Sequence, residues 1–103
     1  MQFEWDPNKA ALNEEKHGIN FRESMTTFDD PRLVIFDDPD HSLIEKRELL
    51  VGTSMKGKLL ITSFTMRGEA VRIISSRRAN KVERWKYYEE HEKKNQRKNG
   101  SFG

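Results

Sequence analysis

The chain has 103 residues, of which 34% are hydrophobic and 35% charged, so it suits one domain with a thin core and has no room for a large buried cofactor. It contains no cysteine, which excludes disulfides, cysteine-ligated zinc and thiol catalysis, and it has no apolar run near the ~20 residues that span a membrane. The net charge of +2 combines 6 Lys/Arg against 12 Asp/Glu in residues 1–54 with 13 against 5 in residues 55–103, so the basic half predicts either a polyanionic partner or a solvated surface.

The N-terminal segment predicts a short extended stretch and then a helix. Gln2–Trp5 reads as extended chain. Asp6 is suited to cap the helix and Pro7 to occupy its first position, where the missing N–H costs nothing. The helix should continue to His17, because Gly18 can end it in the left-handed conformation.

A second helix is predicted directly after the first. Asn20 and Glu23 have the spacing of a capping box, in which each side chain accepts a backbone N–H of the other residue. Asp29-Asp30-Pro31 should end this helix. Its apolar stripe has the spacing i, i+4, i+7 and comprises Phe21, Met25 and Phe28.

The middle of the chain predicts four strands separated by short polar turns. A polar loop over residues 37–42 follows the first strand, and Gly57 and Gly68 suit the later turns. Turns this short favour an antiparallel meander. The predicted strands are 32–36, 46–53, 58–65 and 70–76.

A last helix is predicted from about Lys81 to Lys93, with Asn80 and Glu83 as a second capping box. Its apolar side is predicted to be Val82, Trp85 and Tyr88. The expected fold is therefore α+β: two N-terminal helices, a four-stranded antiparallel sheet and a C-terminal helix. We expect one domain over residues 1–94, with the helices on one sheet face and the other face open, and a flexible basic tail over residues 95–103.

Arg72 is the most informative residue of the predicted sheet. Side chains alternate along a strand, so Arg72 should share one face with Ala70, Ile74 and Ser76. A charge on a buried face is costly, so this face should be partly open, or Arg72 should pair with Glu45 or Glu48. Further arginines flank the strands, namely Arg47, Arg67, Arg77 and Arg78.

Arginines in this pattern suit the binding and cleavage of a nucleic acid. The guanidinium fork binds phosphate in a bidentate manner and stays charged at all relevant pH values. Cleaving RNA without a metal needs a base, an acid and fixed positive charge for the transition state, and the arginines can supply the charge. The alternative is that they only form ion pairs and solvate the start of the last helix.

The acid–base residues are harder to assign. His17 ends the first helix and His41 lies in the acidic loop, and histidine titrates near neutral pH. Each has a plausible structural role instead, since His17 can cap free carbonyls and His41 can pair with aspartates. Tyr87 and Tyr88 could donate a proton or stack on a base, although the apolar stripe favours a core position for Tyr88.

A metal site is not expected. His17, His41 and His91 lack the close spacing of a helical metal-binding pair. The acidic loop offers oxygen ligands for Mg²⁺ or Ca²⁺ in Asp37, Asp38 and Asp40, but a solvated turn is the favoured interpretation.

Seven short motifs, in order over residues 3–88, together resemble the BrnT family of toxins. They are Phe3-Glu4-Trp5-Asp6-Pro7 with Lys9, Lys16-His17-Gly18-Ile19 with Phe21, Phe28-Asp29-Asp30-Pro31, Asp37-Asp38-Pro39-Asp40-His41-Ser42, Glu45-Lys46-Arg47 with Gly52, Thr65 with Arg67, and Arg72-Ile73-Ile74-Ser75-Ser76-Arg77-Arg78-Ala79 with Glu83. The resemblance implies a RelE-like fold and an RNA-cleaving activity that stops translation.

The resemblance also implies partners and site residues. A BrnA-type antitoxin should bind and block the toxin, and operator DNA should be bound only through that complex. The implied catalytic residues are Arg67, Arg72, Arg77, Arg78, His17 and Glu45. The residues expected to bind RNA are Arg47, Lys16, Lys81 and Arg84.

Two other classes of function compete with the ribonuclease interpretation. A non-catalytic module would use the basic face to dock an antitoxin or a nucleic acid. A DNA-binding protein is less favoured, because no helix-turn-helix pattern with a basic recognition helix is present. The N-terminus lacks the order of a secretory signal, so a cytoplasmic protein without membrane partners is expected.

Overall fold

The structure, a computed structural model, describes residues 1–41 and 45–100, apart from the side chains of 41, 91 and 93–100. Five strands and three helices make up these ranges, together with two short 3-10 turns at Thr27–Asp29 and Pro39–His41. The strands are β1 Gln2–Glu4, β2 Val34–Asp37, β3 Glu48–Thr53, β4 Leu59–Arg67 and β5 Ala70–Arg78. The helices are α1 Pro7–His17, α2 Phe21–Thr26 and α3 Lys81–Gly100.

The sheet has the order β1-β5-β4-β3-β2. The four strands β2 to β5 form the predicted antiparallel meander. The prediction of a purely antiparallel four-stranded sheet is wrong, because β1 adds a fifth strand parallel to β5, with Glu4 opposite Arg72. The whole α1–β4 segment connects these two neighbours, so the N-terminal strand closes one edge of the sheet.

The caps of α1 are those that the sequence predicts. The Asp6 carboxylate accepts the N–H groups of Asn8 (2.8 Å) and Lys9 (3.3 Å), and Gly18 ends the helix at φ 69°. For α2, the side-chain oxygen of Asn20 accepts the N–H of Arg22, at 2.7 Å.

The predicted capping box of α2 is wrong, because Glu23 is buried and directed elsewhere. Its carboxylate accepts the Ser54 hydroxyl at 2.7 Å and lies 3.7 Å from the Lys58 ammonium. A buried carboxylate requires such partners. Glu23 therefore ties α2 to the β3–β4 hairpin and does not close its own helix.

The core has two parts, one on each face of the sheet. On the first face, α1 and α2 cover the cluster of Phe21, Leu50, Phe64, Val71 and Ile73. On the second face, α3 packs through Tyr87 on Val51, Leu59 and Ile61. The prediction that all helices lie on one face is therefore wrong.

The face of α3 that packs on the sheet also differs from the prediction. Tyr87 is 4% exposed, whereas the predicted apolar side is in solvent, with Val82 62%, Trp85 61% and Tyr88 51% exposed.

The Asn80–Glu83 capping box is confirmed. The helix continues past the predicted end at Lys93 to Gly100. The flexibility of residues 95–103 stays a prediction. In the described part of the chain, no helix has the length and apolarity needed to cross a bilayer.

Candidate functional site

A groove of about 320 Å³ lies on the second face of the sheet, beside the region that α3 covers. Arginines line it on opposite sides, Arg47 before β3 and Arg77 near the end of β5. Two serines lie between them on neighbouring strands, since Ser63 of β4 is directly opposite Ser75 of β5. Among the described residues, the lining consists of Asp38, Arg47, Leu49, Ile61, Ser63, Ile74, Ser75 and Arg77.

A β-bulge in β5 determines which side chains enter this groove. Phe64 pairs with Ile73 and Ser63 with Ser75, so Ile74 is an extra residue without an opposite partner. A bulge of this kind shifts the alternation of side chains by one position. Ser75 and Arg77 therefore share the face of Arg72, whereas an unbroken strand would direct Arg77 toward α1.

The bulge corrects one prediction. Ser76 was expected on the face of Arg72, but it lies on the opposite face, where its hydroxyl is 3.0 Å from that of Thr62. The serines of the groove were not among the predicted site residues. The sequence carries a weak signal for them, since Ser63, Ser75 and Ser76 are small polar residues inside otherwise apolar strands.

Glu83 fixes the guanidinium of Arg77. Nη1 and Nη2 of Arg77 donate to Oε1 and Oε2 of Glu83, each at 2.7 Å, and Nη1 also donates to the Arg78 carbonyl at 3.2 Å. These bonds use three of the five guanidinium N–H groups. The side-on fork, formed by Nε–H and the outer hydrogen of Nη2, has no partner among the described residues and remains available for an anion.

The charges of this pair stabilise each other. The carboxylate of Glu83 and its hydrogen bonds raise the pKa of Arg77 above its ordinary value. Burial by itself would raise the pKa of Glu83, but the hydrogen bonds from Arg77 and from the Asn80 N–H outweigh burial, so this pKa lies below its ordinary value. Both groups are therefore charged at neutral pH.

Arg72 and Arg67 lie on the same face, beyond the groove. Arg72 is opposite Thr65, and its guanidinium is 3.5 Å from the carboxylate of Glu4 on β1. The alternative in which Arg72 pairs with Glu45 or Glu48 is therefore wrong, because β1 joins the sheet beside β5 and supplies Glu4 as the partner. Glu45 instead pairs with Arg67, at 3.8 Å.

The remaining predicted site residues are not among those that line the groove. Arg78 is exposed and, by the alternation after the bulge, is directed to the face of α1. Lys16 and His17 end α1, which packs on β5 from the first face. Lys81 and Arg84 are exposed in the first turns of α3. The side chain of His41 lies outside the described residues, as does Ser42 of the polar loop.

Asn13 of α1 is bound to the edge of β5. Its amide nitrogen donates to the Ser76 carbonyl at 2.8 Å, and its amide oxygen accepts the Ser76 N–H at 2.9 Å. The nitrogen also donates to the Ile19 carbonyl at 3.0 Å. These bonds fix the end of β5 that carries Arg77.

The described residues include no group of three His, Asp or Glu side chains placed to hold a metal ion. Of the acidic loop, Asp37 is an exposed partner of Lys46 at 3.6 Å, and Asp38 lines the groove. The backbone N–H of Asp38 donates to the Arg47 carbonyl at 3.0 Å, which places the two residues side by side at one end of the groove.

Comparison with known proteins identifies the family and a similar fold. The sequence model of the family described as "Ribonuclease toxin, BrnT, of type II toxin-antitoxin system" matches residues 5–83. The fold is similar to the crystal structure of the Brucella abortus ribonuclease toxin, BrnT, with a TM-score of 0.62 and 24% sequence identity over 79% of this chain and 99% of that chain. Among curated proteins, no sequence matches. Since the family match covers most of the chain and confirms the resemblance of its motifs, this protein belongs to the BrnT ribonuclease toxins of type II toxin–antitoxin systems.

Proposed function

We propose that this toxin is a metal-independent endoribonuclease that binds a phosphate of its RNA substrate in the groove between Arg47 and Arg77. One observation carries the proposal: Glu83 holds Arg77 in place by two 2.7 Å hydrogen bonds and leaves its side-on fork available. The hydroxyls of Ser63 and Ser75 lie between the two arginines and can donate to the remaining phosphate oxygens.

The chemistry suits fixed cations. The ribose 2′-oxygen loses its proton to a base and attacks the adjacent phosphorus. The bond from phosphorus to the 5′-oxygen then breaks, and an acid protonates that oxygen, leaving a 2′,3′-cyclic phosphate and a 5′-hydroxyl. Negative charge builds up on the phosphate during this step, and guanidinium groups already in position stabilise it.

Asp38 is the carboxylate that lines the groove, and we propose it as the base. His17 and Glu45 remain predictions for acid–base roles, and Arg67, Arg72 and Arg78 remain predicted catalytic residues. Since Arg67 and Arg72 extend the basic face beyond the groove, we propose that they contribute to catalysis by binding phosphates further along the RNA strand. Lys16, Lys81 and Arg84 remain predicted RNA contacts.

The family indicates the general class of the partner. A type II system implies a protein antitoxin. We propose that this antitoxin is of the BrnA type, that operator DNA is bound only through the complex, and that the toxin acts in the cytoplasm. A basic groove is suited to be covered by an acidic segment.

The test is cleavage of total RNA by the purified chain in EDTA. Arg77→Ala should lower the rate by about 10²–10³-fold, the effect of removing one donor to a developing oxyanion. Arg72→Ala should lower it less, because Arg72 lies outside the groove. Arg22→Ala, an exposed arginine on α2, serves as the matched control and should leave the rate unchanged.

Four outcomes decide between the functions. Cleavage in EDTA that requires Arg77 supports the proposal. Cleavage that requires an added divalent cation overturns metal independence. If RNA stays intact and expression of the chain alone leaves growth unaffected, the non-catalytic binding module replaces the enzyme. Growth arrest without cleavage of free RNA would instead place the reaction on the ribosome.

A further inference from the structure

Helix α3 carries an apolar stripe that is mostly in solvent, although Tyr88 at one end packs edge-on against Tyr87 with ring centroids 5.4 Å apart. It consists of Val82, Trp85 and Tyr88 at positions i, i+3 and i+6, each more than half exposed. Trp85 and Tyr87 differ by two positions, which is 200° around a helix, so Trp85 at the centre of the stripe is directed away from the sheet that buries Tyr87. An exposed tryptophan within such a stripe is unusual for a solvated helix and indicates an interaction site.

The stripe is continuous with the candidate RNA groove. A hollow of about 400 Å³ with almost wholly apolar walls lies on α3 between Lys81, Val82 and Trp85. Val82 also borders a second depression, between α3 and the sheet. That depression shares Leu49 and Ile61 with the groove, so an extended ligand can pass from Trp85 to Arg77 without leaving the protein surface.

The charges around this path indicate an acidic partner. Lys81 and Arg84 flank the stripe, Lys86 lies toward the depression with its ammonium 5.4 Å from the Phe36 ring centroid, and Arg47 and Arg77 lie at the far end. Among the described residues these five cations outnumber the three carboxylates along the path, which are Asp37 and Glu83 in the depression and Asp38 in the groove. A second copy of the chain fits poorly, because a two-fold axis at Trp85 would bring these cations against themselves. An RNA base would stack on Trp85 but find almost no polar atom for its edge in the hollow.

We propose that the stripe of Val82, Trp85 and Tyr88 anchors the antitoxin, which inserts an apolar side chain beside Trp85 and directs an acidic segment along the path into the groove. The proposal rests on the proposed function for the position of the groove and on the family for the existence of an antitoxin. An amphipathic helix with apolar residues three and four apart has the chemistry that such a stripe recognises. Tryptophan and tyrosine at the centre of an interface commonly dominate its affinity.

The test measures the Kd of the full-length toxin with the purified antitoxin of the same pair by calorimetry. Trp85→Ala should weaken binding about 30-fold or more, as removal of a central aromatic anchor does. Leu12→Ala removes an equally exposed apolar side chain (64% against 61%) from α1 and should change the Kd less than about 3-fold. Both positions are in solvent, so the variants should keep the circular dichroism and unfolding midpoint of the wild type.

These outcomes are distinct from those of the RNA assay, because antitoxin binding is measured without RNA. The anchor proposal can therefore hold even if the chain cleaves no RNA. Binding of Trp85→Ala within 3-fold of wild type overturns the anchor. If Trp85→Ala raises the KM for RNA and leaves the antitoxin affinity unchanged, the stripe binds RNA and the proposal is overturned. The proposal is also overturned if the wild type sediments as a dimer and Trp85→Ala dissociates that dimer. Weaker antitoxin binding with unchanged RNA cleavage is the expected result.

Discussion

Arg77 and Glu83 join the last strand to the last helix, with both terminal guanidinium nitrogens 2.7 Å from the carboxylate oxygens. The same carboxylate accepts the Asn80 N–H at 2.7 Å, while the Asn80 amide oxygen accepts the Glu83 N–H at 2.9 Å. Glu83 therefore has two roles that can be separated: it closes the start of α3, and it aims Arg77 into the groove.

We expect Glu83→Gln to lower kcat for RNA cleavage about 10–100-fold. The amide oxygen can still accept the Asn80 N–H, but the amide NH₂ would face an N–H of Arg77. The guanidinium of Arg77 is then no longer held in place, and a misplaced catalytic group lowers the rate on this scale. The control is Asn80→Ala, which removes the other half of the capping box at a cost of about 1 kcal/mol in stability and should leave kcat nearly unchanged. Equal losses of activity in the two variants would show that Glu83 acts only through the helix.

A second prediction concerns Asp30, which links three segments of the fold. Its carboxylate accepts the backbone N–H of Thr53 at 2.7 Å and of Arg32 at 2.9 Å, and the hydroxyl of Tyr87 at 2.8 Å. Tyr87→Phe should lower the free energy of unfolding by about 1.5–3 kcal/mol, the range for a hydrogen bond to a charged group. Urea unfolding at pH 7 measures this, and Tyr88→Phe, whose side chain is half exposed, is the control.

The pH dependence of stability should follow from the same contacts. Burial by itself would raise the pKa of Asp30, but the hydrogen bonds from Thr53, Arg32 and Tyr87 outweigh it, so its pKa in the folded state lies below the ordinary 3.8. The contribution of Asp30 is therefore present above pH 3.8 and is lost as the pH falls through the lower folded value. Asp30→Asn should flatten the acid limb of a plot of unfolding free energy against pH, and an unchanged slope would contradict the assignment.

The alkaline limb should show the opposite sign. Burial, together with the bond to Asp30, raises the pKa of Tyr87 above its ordinary 10.0. The neutral phenol is thus favoured in the folded state, and its contribution is present below pH 10 and lost as the pH rises through the folded value. Ultraviolet titration of tyrosine ionisation should resolve one late-titrating phenol in the wild type that Tyr87→Phe removes.

We expect Asn13→Ala to destabilise the fold by about 2–4 kcal/mol. The change leaves the Ser76 N–H, the Ser76 carbonyl and the Ile19 carbonyl without their hydrogen-bond partner. Each buried polar group that loses its partner costs about 1–3 kcal/mol of stability unless water reaches it. Asn13→Asp should cost at least as much, because a carboxylate would face two carbonyl oxygens. Chemical unfolding measures both, and Asn8→Ala near the exposed start of α1 is the control.

A larger residue at position 52 is predicted to destabilise the fold, because Gly52 of β3 lies close to the turn at Thr27–Asp29. A Cβ atom on Gly52 would lie 3.0 Å from the Thr27 carbonyl oxygen and 3.0 Å from Cδ2 of Leu50. Gly52→Ala should therefore cost about 1–3 kcal/mol in thermal unfolding. At Gly57, where φ is 79° and the space is open, asparagine should be tolerated better than alanine, whereas at Gly52 asparagine should be worse than alanine.

The parts of the fold that short-range signals specify are those the sequence predicts well. Asp6, Gly18 and the Asn80–Glu83 box act within one helical turn, and the glycines of the hairpins act within a few residues. The strand β1 could not be predicted as part of the sheet, because three residues carry no pattern that reveals a parallel partner 68 positions away in the chain. Glu23 has the spacing of a capping box, but its carboxylate binds Ser54 and Lys58 of the β3–β4 hairpin instead.

The candidate site divides in the same way. That arginines crowd the last strand is visible in the sequence, and so is their chemical use. Which of these arginines share a face of the sheet depends on the bulge at Ile74, and the residue types around Ile74 do not predict a bulge. Tyr87 rather than Tyr88 is buried because its hydroxyl reaches Asp30, a contact between residues 57 positions apart.

The two hydrogen bonds between Asn13 and Ser76 have a consequence beyond stability. Strand β1 pairs with β5 only over Ala70–Arg72, so the later residues of β5 form an open edge of the sheet on that side. Asn13 engages the donor and the acceptor of Ser76 as a neighbouring backbone would, and so closes this edge against strand addition by another polypeptide. A helix residue thereby protects the toxin from edge-to-edge aggregation, which is a hazard for any sheet edge with unpaired backbone groups.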